Sequence, residues 1–448
     1  MIQAEDYSAP VGKRLLKRIT CPHCWHSFGP EDILWASVHT DLRGDPLLDP
    51  PGSPPSTLQR FLPTRFDFKG NAIDSRGQSC QDLACPRCHL LIPQILLDTR
   101  FSILGSPGSG KSFLLGAMAW TLRNCLLREF GLDFGDADPL SNATLNQYEE
   151  SLFLRPDPEK HIPVRDLIRK TQFTEESIFS RVYIGSQELK FPKPFLFEIK
   201  PSVSHPDYKK IGGESRVVCL YDSAGESFQA VSDDADRLKT TAYIARSKAL
   251  FFLFDPMQDP RFLAAARQKT SNDRGTGGPA FANRQETILR ESAARVKRLL
   301  GLNQGTLHNA PLIVVVNKWD AWKEMLAFDP KARPVIRRKG RSVFSFDMDL
   351  VNQVSKSLRA IMLQHCPEIV SAAESFCKEV VYLPASPLGH TPLQNEEFID
   401  PNSKNALHTI QPKNIQPWWT EFPLVYAISR ELPQFVEPVK RSTSKENP

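Results

Sequence analysis

The stretch Phe101-Ser-Ile-Leu-Gly105-Ser106-Pro-Gly108-Ser109-Gly110-Lys111-Ser112 constrains this chain more than any other. A short apolar run enters a glycine-rich turn, and Phe113-Leu-Leu-Gly-Ala-Met-Ala-Trp-Thr-Leu follows with helical composition. Strand, G-x-x-x-x-G-K-S and helix in that order make a phosphate-binding loop. Glycines let successive backbone N–H groups curl around a phosphate, and the helix points the positive end of its dipole at it. On this reading Gly105, Ser106, Gly108, Ser109 and Gly110 form the cradle, Lys111 reaches β- and γ-phosphates, and Ser112 offers its hydroxyl to Mg²⁺.

Such a loop requires an α/β fold, and the sequence after it alternates accordingly. Strands are predicted near 99–105, 195–200, 216–222, 249–254, 311–317 and 379–384, and helices near 112–130, 233–247, 282–302, 349–364 and 422–431. The expected class is a P-loop NTPase with a mostly parallel sheet and flanking helices. Two strand ends then carry chemistry. Arg216-Val-Val-Cys-Leu-Tyr-Asp222-Ser-Ala-Gly225-Glu226 ends in D-x-x-G. Its aspartate is placed to hold Mg²⁺, and Gly225 allows close backbone approach to a γ-phosphate. Leu312-Ile-Val-Val-Val-Asn317-Lys318-Trp319-Asp320 ends in N-K-x-D. A carboxylate at Asp320 can accept from the N1–H and N2 amine of guanine, where adenine offers neither donor. Asn317 can bond the other edge of the base or tie down neighbouring loops, and the stem of Lys318 can cover a ring face. The small residues at Ala385-Ser386 suit a backbone contact to the base. Asp255, also at a strand end, is a rival for the metal-holding carboxylate, but the following Pro256 favours a turn residue.

These three motifs, in this order and each on a strand end, resemble the motif set of TRAFAC-type GTPases, with the likeness spanning residues 99–435. It implies a Ras-like fold, Mg²⁺-dependent GTP and GDP binding, and a switch driven by γ-phosphate contacts. Catalysis would rest on Lys111, Gly225 and Glu226. Glu226 stands where Ras-like enzymes carry a water-orienting glutamine, which predicts slow hydrolysis unless a partner assists. Thr171 and Thr174 are candidates for the γ-phosphate-sensing threonine, although Thr174 before Glu175 also fits a helix cap. Insertions are expected at about 131–192 and 256–310. Ala84-Cys-Pro-Arg-Cys-His and Asn414-Ile-Gln-Pro-Trp-Trp-Thr-Glu-Phe-Pro-Leu further resemble bacterial proteins of the double-GTPase type, suspected members of conflict or immune systems. The chain shows one phosphate loop, so a second GTPase, or an activating protein, would be a separate partner.

Ahead of this domain, Cys21-Pro-His-Cys24 and Cys85-Pro-Arg-Cys88 each present two thiolates, and together they complete a four-cysteine zinc site. The predicted zinc ribbon spans 21–98 with a proline-rich insertion, after a basic segment, 1–20, that carries Lys13, Arg14, Lys17 and Arg18. His23, His26 and His89 are alternative ligands beside the knuckles, and Cys80 is a spare thiol. Nine cysteines, an odd number without a disulfide pattern, fit a reducing cytoplasm. No apolar run reaches membrane-spanning length. A net charge of +5 is too mild to imply nucleic acid on its own, and the cluster Arg333, Arg337, Arg338, Lys339 and Arg341 reads as an exposed loop. Residues 436–448 read as a disordered tail. The leading expectation is a slowly hydrolysing GTP switch. The alternatives are a GTP-binding scaffold without turnover and a zinc-ribbon ATPase acting on nucleic acid.

Overall fold

The computed structural model describes residues 18–93, 97–168, 179–185, 187–211, 215–222, 242–269, 285–303, 305–401 and 403–440. Thr171, Thr174, Gly225, Glu226 and the basic residues at 13–17 lie outside the described residues, as does most of the helix predicted at 233–247. The chain divides into two compact units, the first made of residues up to Leu97 together with Arg181–Phe191, the second of the remainder.

In the first unit each C-P-x-C turn caps a two-stranded ribbon. Cys21 and Cys24 lie between Ile19–Thr20 and Ser27–Phe28, while Cys85 and Cys88 lie between Leu83–Ala84 and Leu91–Ile92. Leu83–Ala84 belongs to a four-stranded antiparallel sheet with Arg60–Phe61, Leu34–Ala36 and Leu91–Ile92. The cysteines are themselves the centre of the core, with Phe28, Ile92 and Val182 buried among them. Val182 arrives on a hairpin, Phe179–Ile184 with Gln187–Pro192, most of which belongs to this unit although it lies far along the chain. Tyr183 N–H bonds the Leu47 carbonyl at 2.8 Å, and Phe191 meets Trp25 edge-on at 5.8 Å. The unit therefore reaches beyond the predicted 21–98 span.

The second unit is built on a seven-stranded sheet. Its strands are β1 (Leu97–Gly105), β2 (Leu132–Asp136), β3 (Phe195–Pro201), β4 (Arg216–Asp222), β5 (Ala249–Phe254), β6 (Leu312–Val316) and β7 (Val380–Pro384), in the order β2-β3-β4-β1-β5-β6-β7. β1, β5, β6 and β7 run parallel, whereas β2, β3 and β4 form an antiparallel wing. Every residue of β5 and β6 is buried, as expected of central parallel strands covered on both sides. The helices are α1 (Lys111–Phe130), α2 (Ala143–Phe153), α3 (Pro260–Lys269), α4 (Gln285–Leu299), α5 (Met348–His365), α6 (Pro367–Phe376) and α7 (Phe422–Glu431). α1 packs on β2 and α2, α5 on β7, and α6 against α4 and α5. α1 buries Leu114, Leu115, Met118, Leu122 and Leu126 at helical spacing and stops at Gly131, whose φ of 67° allows its N–H to reach back to the last turn.

Register places the site. Gly105 pairs with Leu253, Phe254 with Val316, and Val316 with Pro384. The loops after β1, β5, β6 and β7 therefore leave the sheet along one edge, the usual position of ligand sites in α/β sheets.

Several expectations change. Arg333 is not part of a loose surface cluster. Its guanidinium bonds Glu129 of α1 and Glu421, which precedes α7, and covers the Phe422 ring. Arg338 pairs with Glu437. Val436 is buried and Pro438–Val439 pairs with Phe344–Asp347, so the chain is still part of the fold inside the stretch expected to be a tail. No helix among the described residues is long and apolar enough to cross a membrane.

Candidate functional site

The four cysteine sulfurs lie within 4.8 Å of one another and all four residues are buried. Cys21 and Cys88 sulfurs are 3.7 Å apart, Cys24 and Cys85 sulfurs 3.6 Å. Metal–sulfur bonds of about 2.3 Å at tetrahedral angles imply edges of about 3.8 Å, so this donor set fits zinc. The knuckles repeat each other in detail. His23 N–H and Arg87 N–H donate to Cys21 and Cys85 sulfurs, while Trp25 and His89, each following a second cysteine, take positive φ of 57° and 59°. Burial, joined by the other sulfurs, pushes the Cys21 thiol up, a cost that a bound cation would remove. The nearby histidines are committed elsewhere. His23 Nε2 meets the Leu91 carbonyl, His89 Nδ1 meets Asp45, and the His26 ring stacks on Phe28.

In the second unit the glycine-rich turn closes directly on β1. Gly108 and Gly110 have φ of 74° and 91°, a region open to glycine and costly for other residues. A side chain on Gly110 would press on Asn317 Nδ2 at 2.9 Å, and one on Gly105 would meet the Leu253 carbonyl at 3.0 Å. Lys111 Nζ folds back over the turn, donating to the Gly105 carbonyl at 2.9 Å and the Ser106 carbonyl at 3.3 Å. Ser109 Oγ also donates to the Ser106 carbonyl, at 2.8 Å.

The loop after β6 is fastened to this turn. Asn317 Nδ2 donates to the Ser109 carbonyl at 2.8 Å, while its Oδ1 is buried with no hydrogen-bond partner among the described residues. Lys318 takes a left-handed φ of 55° and its ammonium meets Asp255 at 2.6 Å. Asp255 is fully buried and also caps the short turn at Pro256–Gln258. It thus acts as a brace between β5 and the β6 loop, in keeping with the turn role expected for it. Asp320 is half-buried, and its two oxygens accept from Ser386 Oγ and, at 3.0 Å, from Thr391 Oγ1. Each oxygen has a further lone pair to offer.

These groups share a cavity of about 390 Å³. Gly108, Gly110, Asn317, Lys318 and Asp320 line it, with Phe113, Met257 and Leu388 as apolar walls. A second wall comes from a small sheet in which Ile162–Pro163 pairs with Ala406–Ile410, itself paired to Leu393–Ile399. Pro163, Leu407 and His408 line the cavity from that sheet, Val164 and Arg165 from the helical turn that follows Pro163, and Arg165 is ion-paired with Asp400.

Ser112 stands at the start of α1 and Asp222 at the end of β4. Tyr148 of α2, which no motif announced, is buried, and burial together with the Asp222 charge raises its pKa while Ser112 opposes the shift. Thr391 was likewise missed. A hydroxyl five residues beyond Ser386 carries no pattern, and Tyr148 shares the spacing of core residues Leu145 and Leu152.

No family model matches the chain, and no curated protein matches it. Among solved structures it is similar to the Saccharomyces cerevisiae Ski7 GTPase-like domain bound to GTP, at 12% identity and a TM-score of 0.27, covering 75% of this chain and 50% of that one. It is also similar to Sup35 complexed with GDP, at 13% identity and a TM-score of 0.20, covering 67% of this chain and 39% of that one. The chain thus spans half the length of the first and less of the second.

Proposed function

We propose that the second unit is a P-loop, Ras-like GTPase domain that binds GTP and GDP with Mg²⁺, hydrolyses GTP slowly and works as a switch. The observation that carries this reading is the shared cavity, lined both by Gly108 and Gly110 of the glycine-rich turn and by the braced Asp320 carboxylate. Asp320 would accept from guanine N1–H and N2 amine, and the unpaired Asn317 Oδ1 would accept from an N–H of the ligand. Gly105, Ser106, Gly108, Ser109 and Gly110 would surround the phosphates. Lys111 would exchange its two carbonyl partners for phosphate oxygens, since a charge-assisted bond outweighs neutral ones.

Ser112 and Asp222 supply hard oxygen donors of the kind magnesium takes, and they would hold it. When bound, the ion would neutralise charge on the phosphate oxygens. Gly225 would sense the γ-phosphate and Glu226 would face the attacking water, whose approach a carboxylate favours less than an amide does. The braced hydroxyls on Asp320 favour a guanine nucleotide over the ATPase alternative. In the cell the switch would act with a protein partner, a second GTPase or an activating protein, as the double-GTPase likeness implies. The first unit would be a structural zinc ribbon.

Equilibrium binding of GTP, GDP and ATP, followed by multiple-turnover phosphate release, tests the reading. Guanine-selective binding with slow turnover is expected. Equal binding of ATP would overturn it, and selective binding with no turnover would leave a GTP-binding scaffold.

A further inference from the structure

The stretch Gln416-Pro-Trp418-Trp419, just before α7, has no part in the site as described so far, yet it touches both loops that present Asp320. On one side its backbone runs along the loop after β7. Ser386 and Trp418 exchange both backbone hydrogen bonds at 2.9 Å, and Gln416 N–H reaches the Leu388 carbonyl at 3.0 Å. The approach is so close that a side chain on Gly389 would collide with the Gln416 carbonyl. On the other side the Trp418 indole lies flat on Trp319, with centroids 3.8 Å apart and planes 15° from parallel. Trp319 opens the helical turn Trp319–Trp322 that carries Asp320. The outer end of the Trp418 ring is fixed too, its Nε1 donating to the Pro330 carbonyl at 2.7 Å.

One residue thus holds Ser386 by its backbone and the neighbour of Asp320 by its ring. Ser386 in turn is fully buried and donates to Asp320, while its oxygen accepts from Gly389 N–H at 2.9 Å. A carboxylate that must meet two donors of a flat base needs its carrier held to a fraction of an ångström. We propose that Trp418 is a positioning residue for base selection, setting the helical turn of Asp320 and the loop of Ser386 in a fixed relation so that the carboxylate faces the base edge. The proposal rests on the reading of Asp320 as the guanine-binding residue.

The test uses the full chain, with GTP and ATP competing against a fluorescent GDP analogue. ATP draws on the same phosphate turn and apolar walls but offers Asp320 neither donor, so its affinity reports the rest of the site. Trp418→Leu removes the stack and leaves the backbone bonds possible. It should weaken GTP about 10-fold, the loss expected for a misaligned charged hydrogen bond, and leave ATP unchanged, which also shows that the domain is folded. Trp418→Phe keeps a ring against Trp319 and should retain most of the preference. In an Asp320→Ala background Trp418→Leu should cause no further loss. Should Trp418→Leu unfold the domain by circular dichroism, Trp319→Leu removes the same stack from the other side and should give the same selective loss. If Asp320→Ala abolishes the preference for GTP and the stack variant that folds keeps it, the proposal is overturned while the base site stands. Equal weakening of GTP and ATP would overturn it as well, because the stack would then serve only the packing of the domain. If the unaltered chain does not prefer GTP to ATP, the reading of Asp320 fails and takes the proposal with it.

Discussion

The cysteine cluster and the glycine-rich turn both bring polar atoms together by turning the backbone sharply, yet they are stabilised in different ways. Around the cysteines the strands are two or three residues long apart from the hairpin that carries Val182, and the sulfurs sit at the centre of the core. The apolar residues packed on the cluster are few, so an ion bound there would contribute a large share of the unit's folding free energy. The glycine-rich turn instead projects from a sheet whose central strands are entirely buried; Asn317 bonds its Ser109 carbonyl, and Gly105 is in register with Leu253 of β5. On the proposed reading the first site would gain much of its structure on binding, whereas the second is made beforehand and could spend its binding energy on choosing a ligand.

The largest effect should follow from removing the metal. Cys85→Ser, or a strong chelator, should unfold the first unit, since structural zinc contributes about 10–16 kcal/mol in small metal-dependent modules. Thiol accessibility and limited proteolysis would report it, while GTP binding by the second unit persists. Loss of both together would break the contrast.

Next in size is the ion cluster that joins α1 to the start of α7. Arg333→Ala strands Glu129 and Glu421, both nearly inaccessible, and should cost about 3–5 kcal/mol by denaturant unfolding. A loss below about 1 kcal/mol would mean that the second unit is less firmly preformed than argued. Lys111→Ala should raise the Kd for GTP about 10–100-fold, the equivalent of about 1.5–3 kcal/mol for a charge-assisted bond, with little change in melting temperature. A large fall in melting temperature would make Lys111 a structural clamp for the Gly105 and Ser106 carbonyls instead. The smallest effect belongs to Thr391→Val, which removes one of two hydroxyls on Asp320 and should weaken GTP about five-fold, or about 1 kcal/mol.

Much of the second unit was legible in the sequence because its strands are continuous apolar runs and its loops carry motifs with a fixed chemistry. β4, β5 and α7 match their predicted spans within a residue. The knuckle cysteines were equally legible, since spacing alone brings thiols together. What stayed hidden depends on partners distant in sequence. The hairpin that carries Val182 and Phe191 has no local mark of belonging to the first unit. Pro163 and Leu407 line the cavity only because Ile162–Pro163 finds Ala406–Ile410 about 245 residues later, a pairing no periodicity encodes. Arg333 looked like one of several solvated cations, and only folding shows the two buried glutamates that pair with it.

The central claim is that Asp320 reads guanine, and base exchange tests it most directly. Asp320→Asn replaces an acceptor with an amide that can donate to the C2 carbonyl of xanthine, while the Ser386 and Thr391 hydroxyls can rotate to meet it. The account predicts a loss of GTP affinity on the order of 100-fold or more, with xanthosine triphosphate becoming the preferred ligand. A variant that binds GTP as before, or whose preference among GTP, xanthosine triphosphate and ATP does not change, would contradict it.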